Sequence, residues 1–302
     1  MSKIENNGIW KFEGAQAGPC IGVLGGIHGN ELTGIEVVKR LRDQFESGEL
    51  KLQAGTLYLI LGNLEAIEKN QRATAIENDL NRMFTETNLS GQGRDCYEAE
   101  RARELAPILR QLDISLDLHA TNKPSDPFLC VVHDPPGTRE IMSFFSADQV
   151  ITDPNYILAG EPATTDELVF SSGGLGLCYE TGWAKDTSRA DQVLENVLNI
   201  LSSKGMTSGS LSSVPEFDKT VYEITKRINL TEAGWSFADN FGQKNFEPFE
   251  SGQTIGYHGE DPETPDYDGV TVFPKIKEHW KIGFPVCFLA KENQDGAKAP
   301  GK

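Results

Sequence analysis

Short apolar runs closed by glycine alternate with amphipathic segments through the first two-thirds of the chain, and that alternation leaves few folds open. Residues 20–25 (CIGVLG) and 56–62 (TLYLILG) have the length and punctuation of buried parallel strands, and 114–118 (ISLDL) and 175–179 (LGLCY) behave similarly. Between the first two runs, residues 31–45 carry Leu32, Ile35, Val38 and Leu41 at a spacing of three, which predicts a helix with one buried stripe. Residues 98–112 and 190–201 read as two further helices. Strands and helices in this order predict an α/β domain.

After about residue 205 the texture changes. Gly, Ser and Pro punctuate 204–215, helical periodicity fades, and 221–228, 270–273 and 286–289 look like short strands joined by turns such as PDYDG at 265–269. The expected division is an α/β catalytic domain over 1–205 and a smaller β-rich domain over 206–302. A chain of 302 residues is long enough for either two domains or one with an appendage. The acidic stretch 259–268 reads as a solvated loop, since two prolines split its carboxylates and the spacing of a calcium loop is missing.

With 38% hydrophobic and 24% charged residues the composition is that of a soluble globular protein. The net charge of −17 argues against nucleic acid as a partner, because phosphate binding needs clustered Lys and Arg. An anionic small-molecule substrate would need arginines placed locally in the pocket, which screening over ~8 Å at physiological salt permits. The N-terminal MSKIENNGIWKFEG lacks a basic region followed by an apolar run, and no apolar stretch could span a bilayer, so a cytoplasmic protein without membrane contact is expected. The five cysteines, odd in number and free of any C-x-x-C pair, read as reduced residues, three of them within apolar runs. Oligomeric state is left open, a homo-oligomer included.

Chemistry concentrates at the predicted strand ends. In LGGIHGNELTG, His28 and Glu31 stand three residues apart where a strand ends in glycines and a helix begins, a spacing that lets both side chains converge on one ion. His119 directly follows the run ISLDL and supplies a third ligand from another strand end, the edge at which open α/β sheets bind ligands. Three protein ligands leave a fourth position for water, as in catalytic zinc sites. Glu180, in LGLCYETG, stands just after a further strand at the same edge and is placed to act as a general base. Asn81 and Arg82 in ENDLNRMF follow the strand TLYLILG, with Arg72 a few residues earlier; an arginine fork clamps a carboxylate through two parallel hydrogen bonds. Singly, each residue has an ordinary alternative: a structural histidine at a glycine turn, a carboxylate held by amides at a helix start, an arginine in a surface ion pair. Their joint placement favours a site. Asp117 is read as pointing to the face opposite His119, hence as a supporting carboxylate at best.

In this order, GGIHGNELTG, DLNRMF, LDLHAT and YETG resemble the succinylglutamate desuccinylase and aspartoacylase family, relatives of the zinc carboxypeptidases, over residues 21–182. The resemblance implies a zinc carboxypeptidase-like mixed sheet flanked by helices. It also implies one zinc ion per chain on His28, Glu31 and His119, with Glu180 as base and Asn81 and Arg82 holding a substrate carboxylate. The family's carbonyl-polarising arginine would be Arg72. Two departures stand out: the segment ATTDELVFSSGGLGLCYE offers Asp166 and Glu167 where aspartoacylases carry an arginine, and a tyrosine expected from the C-terminal domain has no counterpart. The expected activity is hydrolysis of the amide of an N-acyl amino acid. The alternatives are a zinc carboxypeptidase acting on small peptides and a non-catalytic small-molecule-binding protein on the same fold.

Overall fold

The computed structural model describes residues 7–75, 77–134, 137–209 and 213–293. The first six residues of the N-terminal segment read above, and 210–212 of the Gly- and Ser-punctuated stretch, lie outside the described residues. In chain order, β1 (Ile9–Glu13) and β2 (Gln16–Gly25) lead into α1 (Leu32–Ser47) and β3 (Ala54–Leu61), followed by α2 (Leu64–Lys69), α3 (Glu86–Leu89) and α4 (Tyr97–Leu109). Next come β4 (Ile114–Thr121), β5 (Phe128–Val131), α5 (Thr138–Met142), β6 (Gln149–Thr152), α6 (Thr165–Ser171), β7 (Leu175–Trp183) and α7 (Ala190–Ser203). Strands then dominate: β8 (Thr220–Asn229), β9 (Ser236–Phe237), β10 (Glu247–Phe249), β11 (Gly256–His258), β12 (Asp261–Glu263), β13 (Gly269–Val272) and β14 (Pro285–Glu292).

Eleven strands form one mixed sheet in the order β1-β3-β2-β4-β7-β5-β6-β8-β14-β13-β10. β2 pairs in parallel with β3 on one side and β4 on the other. The chain therefore leaves β3 and returns on the far side of β2, and a crevice opens at the C-terminal ends of these strands, where ligands collect in such sheets. β7 lies parallel to β4 and antiparallel to β5. The large mixed sheet flanked by helices is the architecture expected from the sequence.

Alternation along the strands assigns the two faces. Leu116 and Leu118 of β4 and Leu177 and Tyr179 of β7 share a core with Val38 and Leu41 of α1 and Val193 and Val197 of α7. On the other face, Leu24 of β2 and Ile60 of β3 pack with Ala102 and Leu105 of α4 and Leu168 and Val169 of α6.

Two details differ from expectation. The buried stripe of α1 runs through Ile35, Val37, Val38, Leu41 and Phe45, while Leu32 stays exposed. A strict spacing of three drifts by about 60° per step on a helix of 3.6 residues per turn, so Leu32 stands across the axis from Leu41. The acidic stretch is only partly a loop, for Asp261–Glu263 pairs with β11 and Glu263 holds Lys226. β8 pairs in parallel with β6, and β14, β13 and β10 extend the same sheet, while β12, β11 and β9 form a separate one. No helix among the described residues is long and apolar enough to cross a membrane.

Candidate metal centre and active site

The loop between β2 and α1 is held by close backbone packing. A Cβ on Gly25 would lie 2.3 Å from the carbonyl oxygen of Gly34, and one on Gly29 2.1 Å from the carbonyl carbon of Ala66. Only glycine admits these approaches, and they bring His28 and Glu31 against the strand ends. Glu31 immediately precedes α1 but makes no capping bond, because its carboxylate turns into the site. His119 and Glu180 lie within β4 and β7 rather than after them, and are register partners in adjacent parallel strands.

His28, Glu31 and His119 are all buried, with ligand atoms within 4.8 Å of one another. The Glu31 carboxylate bridges the imidazoles, Oε1 lying 2.8 Å from His28 Nδ1 and Oε2 3.0 Å from His119 Nδ1, and the two Nδ1 atoms are 3.1 Å apart. Each outer nitrogen faces a carboxylate: His28 Nε2 is 3.0 Å from Asp79 Oδ1 and His119 Nε2 is 3.0 Å from Asp117 Oδ2. Each imidazole thus stands between two carboxylates; with the Nε2 protons donated to Asp79 and Asp117, the Nδ1 lone pairs would be free to face a cation. In that tautomer two imidazole nitrogens and the Glu31 carboxylate would face one point, which suits a cation. The N and O donor set, oriented by outer carboxylates, fits zinc. The same demand for positive charge shows in His119: burial alone would lower its pKa, but Asp117 and Glu31 outweigh it and hold it well above the usual histidine range.

Asp117 therefore corrects the sequence reading. Side chains repeat every two residues along a strand, so Asp117 shares the face of His119 rather than opposing it. Thr165 of α6 donates to the oxygen that holds His119, while Asp117 Oδ1 has no partner among the described residues. Asp79, which the sequence reading passed over, orients His28; its signal was its place two residues before Asn81 in DLNRMF. Its Oδ1 also accepts the Asn81 amide at 2.9 Å and its Oδ2 accepts Arg72 at 2.9 Å. Burial would raise the Asp79 carboxyl, yet Arg72 and His28 hold it well below the usual range.

Glu180 has a buried oxygen, Oε2, with no partner among the described residues. Burial, then the charge of Glu31, push its pKa up to about 7 against the pull of His119, His28 and Arg72. Arg72 pairs with Asp79 and, at 3.5 Å, with Glu31. Asn81 directs its Oδ1 at the Thr165 amide (3.1 Å) and its Nδ2 at His119 Nε2 (3.5 Å). Arg82 donates to the Asn81 carbonyl at 2.6 Å. One cavity is lined by His28, His119, Glu180, Arg72, Asn81 and Arg82. The structure thus brings every residue singled out by position to one place. Lys275, just after β13, also reaches this cavity; nothing local in the sequence pointed to it.

Fold and site together define an α/β protein with a buried, metal-competent His-Glu-His cluster beside an unpartnered glutamate at a topological switch point. Residues 17–202 match the sequence model of the succinylglutamate desuccinylase/aspartoacylase catalytic domain, and the chain belongs to that family. A succinylglutamate desuccinylase of Pseudoalteromonas atlantica is 26% identical over 274 residues, covering 82% of this chain and 75% of that protein. A probable aspartoacylase of Nostoc is 30% identical over 167 residues, 54% of each chain. Among solved structures, succinylglutamate desuccinylase from Vibrio cholerae shares the fold with a TM-score of 0.76 at 20% identity, covering 94% of this chain and 85% of its own. The names of the sequence relatives support a deacylase function.

Proposed function

We propose that this chain is a zinc-dependent amidohydrolase that cleaves the amide of an N-acyl amino acid into a carboxylate and a free amine. The observation that carries the reading is the buried, unpartnered Glu180 carboxylate in register with His119, beside acceptors that converge on one point. Succinylglutamate desuccinylases and aspartoacylases among the relatives support the choice of bond.

His28, Glu31 and His119 would hold the zinc, which when bound would supply Lewis-acid activation of water and of the carbonyl. Glu180 accepts the proton of the attacking water at its free oxygen and later returns it to the leaving nitrogen. A carboxyl pushed up to about 7 suits both transfers near neutrality. Arg72, anchored by Asp79, turns its guanidinium to the carbonyl oxygen as charge develops there. Arg82, which has no carboxylate partner among the described residues, binds a substrate carboxylate, and Asn81 fixes the floor beside it.

The test is Glu180→Gln on zinc-loaded protein, assayed with N-succinylglutamate, N-acetylaspartate and N-acyl aromatic amino acids. Loss of a general base predicts a fall of about 10²–10⁴-fold in kcat with zinc content unchanged. Full activity in the variant would remove Glu180 from the reaction. Cleavage of dipeptides alone would favour a carboxypeptidase, and failure to take up zinc would favour a non-catalytic binding protein.

A further inference from the structure

Arg82 and Lys275 both line the cavity beside the cluster, neither in an ion pair among the described residues. Burial, followed by repulsion from Arg72 and Arg82, pushes Lys275 down to about 8 against the pull of Glu180 and Asp79. Two cations not engaged in ion pairs form a place for an anion, and a substrate carboxylate supplies one.

Three carboxylates, Asp153, Asp166 and Glu167, also line the cavity, but two of them are satisfied by backbone. Asp153 accepts the amides of Ile157 and Leu158 at 2.8 and 2.7 Å. Glu167 accepts those of Ala163 and Thr164 at 2.6 and 2.9 Å. Asp166 differs. It is 8% exposed, in the first turn of α6, and its partners among the described residues are the Thr164 hydroxyl at 2.7 Å and its own amide. Glu167 and Asp117 are its charged neighbours, and no cation pairs with it among the described residues. Burial, then Glu167, push it up to about 7. A buried carboxylate facing a cavity without a counter-ion is costly unless a ligand brings the charge. Val131, Ile151, Leu158 and Phe288 supply apolar lining to the same cavity, suited to methylene groups.

Resting on the proposed hydrolase reading, we infer that Asp166 is a specificity-determining residue that receives a cationic group of the substrate. The site then takes an N-acyl amino acid with one carboxylate at Arg82 and Lys275 and one ammonium, at the end of a short methylene chain, at Asp166. A second carboxylate in that position would meet Asp166 as a like charge, so N-acyl dicarboxylic amino acids are disfavoured. The ammonium belongs either to the amino-acid side chain or to the acyl group, and the test separates these.

The experiment measures kcat/KM of zinc-loaded wild type and Asp166→Asn on Nα-acetylornithine, N-acetylnorvaline, Nα-acetylglutamate and N-(β-alanyl)norvaline. Wild type should prefer Nα-acetylornithine over N-acetylnorvaline by about tenfold or more, with the glutamate derivative lowest. In the variant the first ratio should collapse toward one at unchanged zinc content. If N-(β-alanyl)norvaline instead carries the Asp166-dependent preference, the ammonium sits on the acyl side. A wild-type preference for the neutral or acidic compounds, or a ratio unmoved in the variant, overturns the inference. If none is hydrolysed, the hydrolase reading fails separately, and calorimetric binding of Nα-acetylornithine to both proteins still decides Asp166: equal affinities overturn it.

Discussion

The two imidazoles meet Nδ1 to Nδ1 while Asp79 and Asp117 each stand 3.0 Å from an Nε2. The metal site is thus built as much by its outer carboxylates as by its ligands, and Asp79→Asn should weaken zinc binding by about 10- to 100-fold, measured by competition with a chromogenic chelator. Glu180 has a second consequence. It must be ionised to take a proton, and its pKa stands at about 7 through burial and Glu31. As pH falls below that pKa the base is lost, so kcat/KM should decline tenfold per unit on the acid side; a bound cation stabilises the carboxylate and moves the limb to lower pH. A pH–rate profile with no acid limb between pH 4 and 7 (roughly the range of perturbed glutamates) would contradict this. His28, Glu31, His119 and Glu180 could be picked out because each stands at the end of an apolar run. Asp117 was misread because the period of two was not applied, and Asp166 was visible only as an absent arginine.

At the scale of elements, the site depends on how closely α1 approaches β4. A Cβ on Gly34 would lie 2.4 Å from the Leu118 carbonyl oxygen and 2.9 Å from Leu118 Cβ. Backbone cannot yield there as a side-chain tip would, so Gly34→Ala should push the helix start from the strand that carries His119. The expected cost is about 1–3 kcal/mol, read as a lower Tm together with reduced zinc occupancy. A variant with unchanged Tm and zinc content would show that the approach is not limiting. The sequence located α1, α4 and α7 through their periodicity, while α6 was hidden: its seven residues (Thr165–Ser171) are too few for a periodic signal. Its start is set by a capping box, in which the Thr164 hydroxyl accepts the Glu167 amide and Glu167 reaches back to the Thr164 amide. That cap aims Thr165 at Asp117 and Asp166 at the cavity.

For the whole molecule, the acceptors converging on one point mean that the folded state binds a cation that the unfolded chain, with its ligands scattered from residue 28 to 119, holds only weakly. Zinc at 1,000 times its Kd would contribute about 4 kcal/mol. Chelation should therefore lower Tm by several degrees, and added zinc should restore it; identical melting with and without chelator would argue against the cluster as a metal site. The net charge of −17 surrounds a cavity that keeps Arg82 and Lys275 out of ion pairs among the described residues, so local placement rather than overall charge decides what enters.

What the sequence by itself determined is local: the alternation of strands and helices, the glycine-closed strand ends, and the residues standing on them. These follow from the periods of two and 3.6 and from the backbone freedom of glycine, which are properties of neighbours in the chain. What only the tertiary structure decided is long-range. β8 pairs with β6, and β14 and β13 build outward from it, so that Lys275 after β13 returns to a cavity formed by residues 28–180. The order of strands also brings Asp166 into the same cavity as Arg82 and Lys275. Contacts of this kind depend on which strands pair far apart in the chain, as Gln149 of β6 does with Thr220 of β8, and no local periodicity records that choice.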